Sequence, residues 1–95
     1  MPLYVYRGRD SDQGLELRKL HRDKHIAHLS PLDEAGRVQF AGPLLDADQN
    51  PCGSLIVFEA DTLEAARAVA EADPYLTHGI FSDVEVFETK KVFPG

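Results

Sequence analysis

Ser54-Leu55-Ile56-Val57-Phe58-Glu59-Ala60 runs straight into Asp61-Thr62-Leu63-Glu64, and this junction decides the fold. Leu55 to Phe58 are all apolar, and the group holds two β-branched residues and an aromatic, the types that suit a pleated strand. Apolar side chains on both faces mark a strand inside a sheet, not at its edge. Asp61, with Glu64 three positions later, then reads as the start of a helix. That helix spans Leu63 to about Ala72 and carries Leu63, Ala66, Val69 and Ala70 on one stripe. Asp73-Pro74 stops it, because a residue before proline is biased out of the helical region. Tyr75 to Gly79 reads as a loop. Ser82 to Thr89 is the last strand, with Val84 and Val86 on one face and Phe87 on the other.

Towards the N-terminus, Leu44 to Gly53 is dense in turn residues and reads as the longest loop. Before it, Arg37 to Ala41 alternates Val38 and Phe40 with Arg37, Gln39 and Ala41. This is a strand ended by Gly42-Pro43. Leu15 to about Ala35 reads as a helix stopped by Gly36. At about 100° per residue, Leu15, Ile26, Leu29 and Leu32 share one arc with Arg18, Arg22 and His25. Pro31 predicts a kink or a break, since a proline inside a helix removes a hydrogen bond and clashes with the preceding turn. Ser30-Pro31 also fits the cap and first position of a separate short helix. Leu3 to Gly8, with Leu3 and Val5 alternating against Tyr4 and Tyr6, is the first strand.

The order β-α-β-β-α-β predicts an α+β, ferredoxin-like fold. A four-stranded antiparallel sheet carries two helices on one face. The other face is left uncovered, and strands apolar on both sides then expose a sizeable patch. Pairing sheet against sheet in a homodimer covers it.

Ninety-five residues predict one domain over 1–95. A formal charge of −6 excludes the basic surface that nucleic-acid phosphates require. No apolar run approaches the roughly 18 residues of a membrane span, and the first residues do not read as a signal peptide. A single cysteine, Cys52, forms no internal disulfide, and the composition fits the cytoplasm. No phosphate-cradling glycine motif or other cofactor signature is present.

His25 is the residue that most invites chemistry, because its place on the helical stripe turns it towards the sheet. An imidazole there is either a core group bonded to a carbonyl or a proton-transfer group. Asp73, at the end of the second helix, meets a macrodipole that disfavours its charge, so it needs a donor nearby. If Asp73 reaches His25, the carboxylate fixes the tautomer and leaves the other ring nitrogen free to take a proton. His21, His25 and His28, at i, i+4 and i+7, could instead hold a divalent metal, with His78 as an outside member. No His-Glu-x-x-His pattern supports that reading, and none is adopted. Arg18 and Arg22 share the face of His25 and suit an anionic group or an acidic side chain. Cys52 lacks a predicted base, and Pro2 as an N-terminal amine has no supporting pattern.

His25-Ile26-Ala27-His28-Leu29, Asp33-Glu34-Ala35-Gly36-Arg37, Ala41-Gly42-Pro43-Leu44, Ala72-Asp73-Pro74-Tyr75 and Lys91-Val92-Phe93 follow in order along nearly the whole chain. In these elements the sequence resembles the YCII-related (YciI-like) proteins. Pro31 departs from them, falling where the family usually continues its helix. The resemblance implies a dimeric α+β barrel and a candidate active site made of His25 and Asp73. One relative is a dehydrochlorinase acting on a chlorinated hydroxyhydroquinone. By that analogy His25 is a general acid or base and Asp73 orients it, in lyase or isomerase chemistry without an organic cofactor. Arg22 and Tyr75 would hold a small phenolic or enolisable substrate. The rival expectation is a non-catalytic ligand-binding or accessory domain.

Overall fold

Tyr4 and Tyr6 alternate with Leu3 and Val5 along β1 (Leu3–Asp10), and only the tyrosines are fully buried. In the computed structural model, which describes Met1–Gly95, this strand lies inside a four-stranded sheet. The remaining elements are α1 (Gly14–Glu34), β2 (Val38–Leu45), β3 (Pro51–Glu59), α2 (Leu63–Glu71), α3 (Pro74–Thr77) and β4 (Phe81–Thr89). The strand order is β2-β3-β1-β4, and every neighbouring pair is antiparallel. This is the expected ferredoxin-like arrangement, with the apolar β3 in the interior of the sheet.

Tyr4, Tyr6, Ile56 and Phe58 form the inner sheet face, and Leu29 of α1 and Ala66 and Ala70 of α2 pack on it. Burying each large side chain contributes about 1.5–3 kcal/mol, so this layer holds the helices to the sheet. The alanines of α2 give it a flat contact face. A second cluster of Tyr75, Ile80 and Phe81 closes the end of the sheet beside α3. Gly8 is required there, since a Cβ at this position would stand 2.5 Å from the buried Phe81 ring.

Four expectations are corrected. α1 does not break at Pro31 but runs on to Glu34. Pro31 lies in the last turn, where the ladder is ending anyway. Beyond it the Arg37 N–H donates to the Leu32 carbonyl and the Gly36 N–H to that of Asp33, both at 2.9 Å. Gly36 has φ +73°, the left-handed conformation this helix ending needs. Second, Gly42-Pro43 does not end β2. The strand continues to Leu45, because β2 is an edge strand with one row of backbone groups outside the ladder, and an edge tolerates proline. The predicted long loop shrinks to a tight connection in which the Asp46 carboxylate accepts from the N–H groups of Asp48 and Asn50. Third, the cap of α2 is Thr62, whose hydroxyl accepts from Ala65 N–H at 3.0 Å, and not Asp61. Fourth, the loop predicted after Asp73 begins with the helical turn α3.

Candidate functional site

The turn at α3 is what turns Asp73 inward. Asp73 is the cap of that turn, not an unfavourable charge at the end of α2. Its Oδ1 accepts from the Tyr75 N–H at 2.9 Å. The side chain is fully buried. The same Oδ1 lies 2.8 Å from His25 Nδ1, and Oδ2 accepts from the Tyr6 hydroxyl at 2.6 Å. α1, β1 and the α2–α3 junction, separated by up to 67 positions, thus converge on one carboxylate. A buried polar group without partners costs free energy, and here every one is satisfied.

Burial opposes the charge on Asp73, but the hydrogen bonds from His25, Tyr6 and the Tyr75 N–H outweigh it and hold the carboxyl below its ordinary range. An ionised carboxylate only accepts, so His25 Nδ1 carries the proton of this bond. Nε2, the other ring nitrogen, has no protein partner. Burial, with the Asp73 charge and hydrogen bond, pushes the Tyr6 phenol far above its ordinary value, so it stays a donor.

The face of the imidazole is fixed as firmly as its edge. The His25 and Tyr75 rings are parallel within 2° with centroids 4.0 Å apart. Arg18 approaches the Tyr75 ring, its guanidinium carbon 5.1 Å from the centroid. Arg18 itself is pinned by two bonds to Asp10, at 2.7 and 2.9 Å, and by bonds to the Gly53 carbonyl and the Ser54 hydroxyl. It is therefore committed to the fold, whereas Arg22 is exposed and forms no ion pair.

His25, Tyr75, Arg22 and Ile26 lie along a cleft of about 720 Å³ between α1 and the β2 edge of the sheet. Leu15 and Ile26, on the same helical arc as the buried Leu29, stand on this cleft and are 40% and 42% exposed. α1 packs over β3 and leaves the edge strand open beneath it.

The other histidines go elsewhere. His21 stacks on His78 with centroids 4.2 Å apart, and His28 Nε2 donates to the Val69 carbonyl at 2.8 Å. Burial, together with His78 and Lys24, lowers the pKa of His21. The three helical imidazoles have three separate partners, and no group of three metal-ligating side chains forms. Cys52 is exposed, with its thiol towards the Leu44 carbonyl and no base beside it.

Tyr6 is the member that sequence reasoning missed. Its signal was present: a tyrosine on the inner face of a central strand needs an acceptor for its hydroxyl. What was not legible was which acceptor, because the partner lies at the far end of α2.

The model of the YCII-related domain matches residues 2–90. The chain belongs to the YCII-related family. Among its relatives, Protein YciI of Escherichia coli O6:H1 is 40% identical over 97 aligned positions, which cover 96% of this chain and 99% of that protein. An uncharacterized protein of Haemophilus influenzae is 37% identical, covering 95% and 98%. Among solved structures, the 5-chloro-2-hydroxyhydroquinone dehydrochlorinase of Burkholderia phenoliruptrix, in complex with 2,5-dihydroxybenzoquinone, superposes with a TM-score of 0.83. It is 28% identical and covers 93% of each chain. An antibiotic biosynthesis monooxygenase of the dimeric α+β barrel type superposes at 0.55 with 11% identity and shares the fold alone. As a YCII-related protein the chain therefore has the α+β architecture that its element order predicts. No helix is long and apolar enough to cross a membrane.

Proposed function

We propose that this YCII-related protein is a cofactor-independent enzyme of lyase or isomerase type, with His25 as general base and then acid. Asp73 orients His25, and Arg22 and Tyr75 hold a small phenolic or enolisable substrate in the cleft. The observation that carries this reading is the His25 imidazole itself. Its Nδ1 is tied to a buried ionised carboxylate, its face is stacked, and its Nε2 is unpartnered on a ring that lines an open cleft. A core histidine has no need of the cleft, and no group of three metal-ligating side chains forms around it.

The similarity to a dehydrochlorinase gives the reaction its form. In such an elimination Nε2 takes a proton from the substrate. The electron pair moves through the conjugated ring, and chloride departs with the pair of the carbon–chlorine bond. Net loss is HCl, so no oxidant or reductant is consumed. The imidazolium formed is stabilised by Asp73 and returns its proton to water. A positioned acid or base of this kind contributes roughly 10²–10⁴ in rate.

Chloride release from 5-chloro-2-hydroxyhydroquinone and proton exchange from enolisable acids are the assays. His25→Ala should lower turnover by about 10²-fold or more while leaving the fold intact. Full activity in that variant removes the mechanism. A wild-type protein that binds such compounds and never alters them is a binding module instead.

The assembly proposed is a homodimer. On the outer sheet face Phe40, Val57, Val5 and Phe87 stand in register across all four strands. Phe40 and Phe87 are 53% and 58% exposed, a row that a second copy would cover. A reducing compartment such as the cytoplasm suits the exposed Cys52 thiol.

A further inference from the structure

The Tyr75 hydroxyl is the group the dyad does not account for. The residue is only 3% exposed, and its ring is held by His25 on a face and by Phe81 at an edge, with centroids 5.6 Å apart. Its backbone N–H is spent on Asp73. Its hydroxyl has no protein partner, yet no sealed side-chain oxygen or nitrogen in the molecule lacks one. The hydroxyl is therefore open to solvent, and Tyr75 is part of the cleft wall. A buried aromatic that keeps only its polar tip in a cleft is a placed hydrogen-bonding group.

The charges around it are two arginines, Arg18 and Arg22, and two carboxylates, Asp73 and Asp10, the first committed to His25 and Tyr6 and the second to Arg18. Arg18 approaches the ring, and Arg22 is within electrostatic reach from the next turn of α1. Arg18 is neutralised by Asp10. Arg22 is not, so the cleft lining holds a guanidinium with no ion-pair partner. Burial raises the pKa of Tyr75, and the opposing pull of the two arginines does not cancel it. At neutral pH the group is a phenol and donates.

We propose that the Tyr75 hydroxyl, with the Arg22 guanidinium in the same cleft, is an oxyanion-binding site that receives the phenolate or enolate oxygen of the ligand. This deepens the proposed function and rests on it for the chemistry. When His25 Nε2 removes a proton, the charge left on the substrate oxygen meets a donor that is already in place. Such a donor need not reorganise, which is what gives preorganised hydrogen bonds their value in a site shielded from water. The same Tyr75 ring that fixes the plane of the base also carries the oxyanion donor, so one side chain sets the distance between the two functions.

Ligand binding and turnover separate the two claims. The probe is 4-nitrophenolate, titrated at pH 8.5 and read by the shift of its visible absorbance. Tyr75→Phe keeps the ring, the stack and the Asp73 bond and removes only the oxygen. It should weaken nitrophenolate binding about 10- to 100-fold, the worth of one hydrogen bond to a charged acceptor. It should also lower kcat by about 10²-fold in any turnover assay with little change in KM. Arg22→Gln should weaken binding of the phenolate and leave that of neutral nitrobenzene unchanged. If Tyr75→Phe binds the phenolate as the wild type does, or if the wild type binds none up to millimolar concentration, the oxyanion site is overturned. If Tyr75→Phe loses the phenolate while His25→Ala remains fully active, the oxyanion site stands and the role of His25 falls.

Discussion

Replacing Asp73 by alanine removes one acceptor from three donors, and the cost can be worked out donor by donor. Tyr6 is fully buried, so its hydroxyl has no water to turn to. The Tyr75 N–H is likewise buried at the start of α3. Leaving a buried donor unmade costs about 1–3 kcal/mol, so these two alone give about 2–6 kcal/mol. The His25 side chain is 13% exposed and recovers part of its bond from water, so it adds less. A domain of this length is stable by only ~5–14 kcal/mol, at about 0.05–0.15 kcal/mol per residue. Asp73→Ala should therefore lose about 3–5 kcal/mol, a drop of roughly 2–5 M in the urea midpoint for a slope near 1–1.5 kcal/mol/M. The assay is urea unfolding followed by circular dichroism at one protein concentration, because mass action shifts the midpoint of any dimer. Tyr6→Phe supplies the control. In an Asp73→Ala background it deletes a stranded hydroxyl, so its own cost should vanish or reverse, with a coupling of about 1–3 kcal/mol. A loss below about 1 kcal/mol for Asp73→Ala, or strict additivity with Tyr6→Phe, refutes the buried three-donor carboxylate.

Two further outcomes follow from the same structure. The Asp73 carboxyl titrates below its ordinary 3.8 when folded, so unfolding takes up a proton as the pH falls through that window. Its contribution is complete above 3.8 and is lost as pH drops towards the folded value. Acid titration of the urea midpoint should therefore show a steeper fall below pH ~4 in the wild type than in Asp73→Asn, and equal slopes would remove the ionised carboxylate. On the outer sheet face, Phe87→Glu should convert a dimer into a monomer in sedimentation equilibrium with the fold unchanged. A wild type that sediments as a monomer contradicts the proposed assembly outright.

Much of the fold was legible because it follows from local patterns. The two-residue alternation in β1, the apolar run of β3 and the alanine stripe of α2 set the order of elements, and the order sets the topology. The misreadings share a cause. Pro31 and Pro43 were taken at their local cost, which position overrides: one sits in a last helical turn and the other on an edge strand. The helical arc alone put Leu15 and Ile26 with Leu29, and only Leu29 of the three is buried. Where that arc finds no strand beneath it, it lines a cleft.

His25 and Asp73 could be nominated from the sequence because their residue types are costly without partners at the places the elements put them. Their union could not. The sequence by itself determined that a β-α-β-β-α-β chain forms, that β3 is interior and that a histidine looks inward from α1. Only the tertiary structure decided that the α3 turn swings Asp73 beneath that histidine. It also decided that Tyr6 completes the carboxylate and that Tyr75 lies flat on the imidazole with its hydroxyl open. Periodicity fixes the direction of a side chain about its own element. Hydrogen bonds act over about 3 Å, and the relative placement that brings groups so close is set by packing between elements far apart in the chain.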